Sequence, residues 1–115
     1  DLDSVADRVL NYPLAPLQCR GKGLNVLLIM ADAMRSDMLG AQESPHMFQF
    51  GQEFGQQFTE HFSGGNSSRM GVFSLFYGLP PGYWSSFESL QRSAVVVDEF
   101  QNQGYQLGLF SSSSI

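Results

Sequence analysis

Apolar positions along this chain follow two periods. Val26 to Met30 is an unbroken apolar run between Asn25 and the Ala31-Asp32 pair. A run this short and this rich in branched residues predicts a strand over 25–31, buried on both faces. Tyr105 to Phe110 predicts a second strand of this kind, emptying into the polar loop Ser111 to Ser114. Phe58 to Ser63 is short and alternating enough for another. Elsewhere the spacing is helical. Ser44-Pro45 offers an N-cap and a proline at the first helical position, and Met47, Phe50, Phe54 and Phe58 follow at intervals of three or four. Gly51 and Gly55 each cost such a helix roughly 1 kcal/mol against Ala, unless they allow close packing on a sheet. Ser68 to Tyr77 places Met70, Phe73, Phe76 and Tyr77 on one side, and Gly78-Leu79-Pro80-Pro81-Gly82 stops it. Leu90, Ala94, Val97 and Phe100 mark another helix, with Gly104 where a C′ glycine belongs. Leu2, Val5, Ala6, Val9 and Leu10 give the first ten residues one amphipathic helix. Asn11 to Gly23, with two prolines and two glycines, reads as an extended lead-in.

This division gives 1–24 as an N-terminal helix and lead-in, and 25–115 as the folded region. Its order, β-α-β-α-α-β, predicts an α/β fold: a layered, mainly parallel sheet with flanking helices. Parallel pairing of the strands at 25–31 and 105–110 needs a connection that crosses one face, which the intervening helices supply. Leu27, Leu28, Ile29, Leu107 and Leu109 would then lie in the core. The sequence ends directly after a predicted strand, so 25–115 is expected to be the N-terminal portion of a larger domain.

Composition narrows the partners. The 115 residues are 43% hydrophobic and 13% aromatic, with ten Phe and a formal net charge of −5. Without a basic stripe, nucleic acid is not an expected partner, and direct electrostatic docking on anionic lipid is disfavoured. Cys19 is the single cysteine. It excludes an intrachain disulfide and reads as a small apolar filler. No run approaches the roughly 18 apolar residues that span a bilayer.

Two places carry candidate chemistry. Asp32 follows the first predicted strand, and ligands in open α/β sheets bind beyond the carboxyl ends of strands. It is therefore a candidate metal-binding or catalytic acid; it is equally a candidate N-cap. Gly64-Gly65-Asn66-Ser67-Ser68 precedes a helix, whose first backbone N–H groups favour an anion. A hydroxyl there becomes a nucleophile only when activated, for instance by a metal ion. Ser or Asn in this position is also the commonest N-cap arrangement.

The wider pattern adds to this. Asp32, Arg35, Asp37, Leu39 and Gly40 form D-x-x-R-x-D-x-L-G, which resembles the opening of sulfatase-like enzymes of the alkaline phosphatase superfamily. Pro45 with its Phe-rich segment, Phe58-Thr59-Glu60-His61-Phe62, and Asn66-Ser67-Ser68-Arg69 through Leu75-Phe76-Tyr77-Gly78 resemble the helix, strand and nucleophile loop that follow in that family. Asn11-Tyr12-Pro13-Leu14, Ser63 to Gly78 and Gly104 to Ser112 resemble, within it, periplasmic domains of inner-membrane proteins of Gram-negative bacteria. The resemblance implies a divalent metal ion (Mn, Zn, Mg or Ca) held by Asp32. It also implies a nucleophile ten residues before Gly78, which is Ser68; Ser67 is the alternative if the loop differs by one residue. Arg35, Asn66 and Arg69 are candidate substrate-binding residues, although Arg35 equally fits a structural bridge to Asp32 or Asp37.

Departures from the family pattern split the functional reading. Formylglycine-type sulfatases need Pro and Arg where this chain has Met70 and Val72. Many also open with two adjacent acids, where Asp32 here is followed by Ala33. One reading is a metal-dependent hydrolase or transferase acting on a phosphate or sulfate ester. The other is a catalytically degenerate, lipid-binding regulator of outer-membrane lipid homeostasis, engaging a lipid headgroup such as that of lipopolysaccharide or cardiolipin. Both imply a membrane attachment through segments outside this sequence. His61 and His46 are weaker candidates, and Tyr83 with Trp84 forms either an aromatic lip for an acyl chain or ordinary loop packing.

Overall fold

Proline, glycine and a serine cap set most of the helix boundaries. A computed structural model describes residues 10–21 and 23–112. The helix expected over the first ten residues lies outside the described residues except for Leu10. Helix α1 spans Pro45–Phe54, with its proline in the first turn as expected. Helix α2 spans Ser68–Tyr77 and is closed by Gly78 at φ +66°, a left-handed conformation that glycine adopts without a Cβ clash. Helix α3, Trp84–Ser89, follows a 3-10 turn at Pro81–Tyr83. Helix α4 spans Val95–Asn102. A further 3-10 turn lies at Ser36–Met38.

The end of α4 shows why Gly104 was needed. The Tyr105 N–H bonds Phe100 O at 3.0 Å and the Gly104 N–H bonds Gln101 O at 2.9 Å, with Gly104 at φ +83°. These are the two bonds of a Schellman motif. The apolar contact that accompanies the motif is present too: the Phe100 and Tyr105 rings meet edge-on at 5.0 Å.

The described residues form two compact units. One comprises the chain up to Val26 together with the chain from Ser63 onward. Its core is aromatic. Phe73 and Phe87 are 1% and 2% exposed, and Ala94 is also buried. Phe73 stacks on Tyr77 at 4.5 Å and meets Phe87 and Trp84 edge-on at 5.6 and 5.7 Å. The lead-in joins this cluster through Tyr12, whose ring is edge-on to Phe87 at 4.9 Å. The second unit, Leu27–Phe62, holds the 3-10 turn at Ser36–Met38 and α1. Ser44 links them: its hydroxyl donates to Met38 O at 2.8 Å, and its N–H bonds Gly40 O at 3.0 Å. Phe50 and Phe54 lie 5.3 Å apart on one exposed face of α1.

Several expectations are corrected here. No strand forms among the described residues, so the stretches 25–31, 58–63 and 105–110 carry no sheet ladder. Leu27, Leu28, Ile29, Leu107 and Leu109 are exposed, Leu27 at 84% and Leu109 at 92%, rather than in a core. The reason is physical: a run of apolar residues has no strand identity of its own and is buried only when backbone neighbours pair with it on both sides. Phe58 lies past the end of α1, and Gly51 faces open space rather than a packed sheet. Cys19 is exposed, not a core filler. Helix α3 was not anticipated, because Pro80-Pro81 reads as a stop although Pro81 in fact opens the next turn.

Two tests address the aromatic cluster. Replacing Phe73 by Ala should cost about 3–5 kcal/mol, the range for deleting a buried Phe, read as a fall in the denaturant midpoint. Tyr77 ionises above its ordinary value of about 10, first because burial disfavours the phenolate and then because of Tyr12 and Asp98 nearby. A folded-state pKa above the unfolded one favours folding fully below the unfolded value, and this contribution is lost as pH rises through the folded value. Stability should therefore fall with rising alkaline pH more steeply in the parent than in Tyr77→Phe, and absorbance titration should show one late-ionising tyrosine that the variant lacks.

Candidate functional site

The loop before α2 is fixed by close packing rather than by a simple turn. The Ser63 hydroxyl donates to Gly65 O at 2.8 Å and accepts from the Gly65 N–H at 3.4 Å. This bend lies directly on one side of α2. A methyl at Gly64 would overlap Ser74 Oγ, one at Gly65 would lie 2.5 Å from Met70 Cβ, and one at Gly71 would lie 2.9 Å from Ser63 Oγ. Ser74 Oγ is buried there without a hydrogen-bond partner. The glycines are thus required by the approach of two backbones. Gly71 and Ser74, small residues three apart on one side of a helix, were the sequence signal for this contact, and it went unread.

Ser67 and Ser68 then take different positions. Ser67 is the N-cap of α2, with extended backbone, and its hydroxyl accepts from the Met70 N–H at 3.4 Å. Its carbonyl accepts from the Gly71 N–H at 3.0 Å. Ser68 is the first helical residue. Both serines are exposed, as are Asn66 and Arg69. The Arg69 guanidinium sits 5.3 Å over the Trp84 ring, a cation–π contact worth about 0.5–1 kcal/mol at an exposed site. Trp84 in turn donates from Nε1 to Glu88 Oε2 at 3.2 Å. Trp84 is therefore built into the packing of its unit, while Tyr83 beside it is half-exposed.

The second unit holds the acidic candidates. Asp32 is exposed, and its Oδ1 accepts from the Ala33 N–H at 2.9 Å. Ala33 is at φ +56°, a left-handed conformation that costs a residue with a Cβ roughly 1–2 kcal/mol. Arg35 grips Asp37 with two parallel bonds, Nε to Oδ1 at 3.0 Å and Nη2 to Oδ2 at 2.5 Å. Both partners are largely exposed, so the pair adds at most about 1 kcal/mol to stability. His61 is exposed, and His46 lies in the first turn of α1. Among the described residues no group of three His, Cys, Asp or Glu side chains is placed to hold a metal ion. A divalent cation takes four to eight donors, and Asp32 supplies one carboxylate. The described residues therefore do not fit a complete ion site by themselves.

A loop of small residues enters α2 at Ser68, and Asp32 directly follows an apolar run. The sulfatase family model matches residues 24–114, and the chain belongs to that family, whose fold is the alkaline-phosphatase-like α/β type and whose members generally use a divalent metal. It is 41% identical over 105 residues to the inner membrane protein YejM of Salmonella typhimurium (strain LT2) and equally to that of Salmonella typhi, covering 90% of this chain and 18% of each relative. An uncharacterized protein of Haemophilus influenzae is 34% identical over 90 residues, 78% of this chain and 15% of its own length. The chain thus spans less than a fifth of these relatives. No solved structure matches it. At this level of identity the chain is a domain of an inner-membrane protein, and no helix among its described residues is long and apolar enough to cross a membrane.

The loop packing is testable. Gly64→Ala should destabilise the Ser63–Tyr77 region and increase proteolytic nicking between Ser63 and Ser68, while Gly51→Ala, at an open position in a helix, should stabilise by about 0.4–1 kcal/mol. Ser67→Ala should lower stability by about 0.5–2 kcal/mol through loss of the cap, measured by chemical denaturation.

Proposed function

We propose that this chain is part of a periplasmic, sulfatase-like domain of a membrane-anchored protein, acting on a phosphate or sulfate ester with Ser68 as nucleophile. The observation that supports this reading is the position of Ser68 as the first residue of α2, ten residues before the Gly78 that closes the helix. Ser67 caps α2 through its hydroxyl, and Ser68, at the head of the ten-residue helix, is the residue to which the family resemblance assigns the reactive role. The Ser68 oxygen, its proton released to water, would attack phosphorus or sulfur, and the ester oxygen would depart with the bonding pair and take up a proton from water. Charge on the non-bridging oxygens would face the positive end of α2. Arg69 lies one residue along and Asn66 two residues before Ser68, where they suit binding of the anionic group. Arg35 would contribute only by exchanging its Asp37 partner for substrate. By the family resemblance Asp32 would serve as one ligand of a divalent ion, which when bound would supply Lewis-acid chemistry.

A second reading has its own observation. Ala33 stands where many relatives place a second acid, and its left-handed backbone turns the chain immediately after Asp32. With Met70 and Val72 at the formylglycine positions, this favours a degenerate domain that binds a lipid headgroup, of lipopolysaccharide or cardiolipin, as a regulator.

One assay separates them. The full-length protein is incubated with aryl phosphate and aryl sulfate esters and manganese, zinc, magnesium or calcium. The enzyme reading expects turnover that Ser68→Ala lowers by on the order of 10³–10⁶, the scale of removing a nucleophile, and that Ser67→Ala largely retains. The 115-residue chain alone is expected to be inactive. Absence of turnover from the full-length protein with every ion, alongside saturable binding of anionic lipid, would decide for the regulator.

A further inference from the structure

The lead-in is bound to the domain at both of its ends. At one end Tyr12 makes the link. Its hydroxyl donates to Tyr77 O, the last residue of α2, at 2.8 Å. The same hydroxyl accepts from the Val95 N–H, the first residue of α4, at 3.2 Å. A helix leaves its last carbonyls and first N–H groups without partners of its own, and a phenol both donates and accepts. One side-chain oxygen therefore closes the end of one helix and the start of another. Arg92 secures the backbone at this point, donating from Nη2 to Tyr12 O at 2.9 Å, and Tyr77 donates from its own hydroxyl to Arg92 O at 2.7 Å.

At the other end Gln103, the C-cap of α4, uses both atoms of its amide. Nε2 donates to Cys19 O at 2.6 Å, and Oε1 accepts from the Gly21 N–H at 3.4 Å. The Tyr105 hydroxyl then donates to Leu24 O at 2.9 Å. The lead-in consequently runs beside α4 in the same direction, from its first residue to beyond its last. Extended, exposed chain with two prolines has no reason to hold this course without these bonds.

We propose that residues 12–21 and 23–24 are a strap that couples the position of the preceding chain to helix α2, with the Tyr12 hydroxyl as its releasable catch. Helix α2 carries Ser67 and Ser68 at its opposite end, so displacement of the lead-in displaces the loop that presents them. The coupling holds whatever chemistry Ser68 performs. It treats the segment before the first apolar run as part of the domain rather than as a passive tether.

The test is amide hydrogen exchange, followed residue by residue in the parent, in Tyr12→Phe and in Gln103→Leu. The Phe variant keeps the ring on Phe87 and removes only the hydroxyl. Loss of its two bonds should speed exchange about tenfold at Val95 and also at Gly71, near the far end of α2. Gly55, which bonds Gly51 O in the other unit, serves as the control and should not change. Gln103→Leu should speed exchange at Gly21 and, through the strap, at Val95. Acceleration confined to Val95 in the first variant, with Gly71 unchanged, would overturn the proposal. If Tyr12→Phe instead accelerates Gly55 equally, that variant has unfolded, and Gln103→Leu decides: Val95 unchanged rejects the strap, Val95 accelerated with Gly55 unchanged supports it.

Discussion

Phe73 is the point on which the larger unit depends. It is the most deeply buried large side chain described, and its ring touches three others, from α2 itself and from α3. Burying one such side chain contributes roughly 1.5–3 kcal/mol, and each well-oriented aromatic pair about 0.5–1.5 beyond that. Ordering a single residue's backbone costs about 1–2 kcal/mol. A cluster of this size therefore orders only a modest length of chain unaided. The polar edges of the cluster carry weight for that reason. Tyr12 and Tyr77 put their rings against Phe87 and their hydroxyls on backbone carbonyls, so each fixes a strand of loop as well as filling space.

Helices were legible where a specific residue marks an end. Pro45, Ser67, Gly78 and Gly104 each perform a local task that does not depend on the rest of the fold, and the bounds of α2 follow from its own sequence. The sheet was not legible in the same sense. Val26 to Met30 is apolar whether or not it is paired, and what makes it a strand is supplied by neighbours on both sides. Helix α3 was hidden because a proline pair signals both a stop and a start. At the candidate site the N-cap role of Ser67 was readable from Ser-Ser before an apolar helix. The contact of Gly64 with Ser74 was not, since it joins a loop to a helix face, and only the backbone approach reveals why glycine is there.

The exposed apolar residues have a different meaning in the light of the family. Leu27 and Ile29 in one unit, and Leu109 and Phe110 in the other, are all more than three-quarters exposed. These residues lie in the two runs with the most strand-like sequence. An α/β fold of the sulfatase type buries such runs between helices. The family fold is of this α/β type, while the described residues provide no ladder for these runs.

The same separation of local from collective explains the state of the candidate site. A nucleophile loop is a local device: two glycines, a cap and a helix are enough to present a hydroxyl, and all of these are adjacent in sequence. An ion site is collective, because its donors converge from separate segments. Asp32 and Ser68 consequently carry different weight. Ser68 is held in position by its own neighbours, through Ser67 and the Ser63–Gly65 bend. Asp32 is followed by a left-handed alanine and accepts from the N–H of that alanine, an arrangement that orients its carboxylate. Strain in a residue with a Cβ persists only when something gained outweighs it. Here the left-handed turn at Ala33 directly follows Asp32 and brings the Ala33 N–H onto its carboxylate.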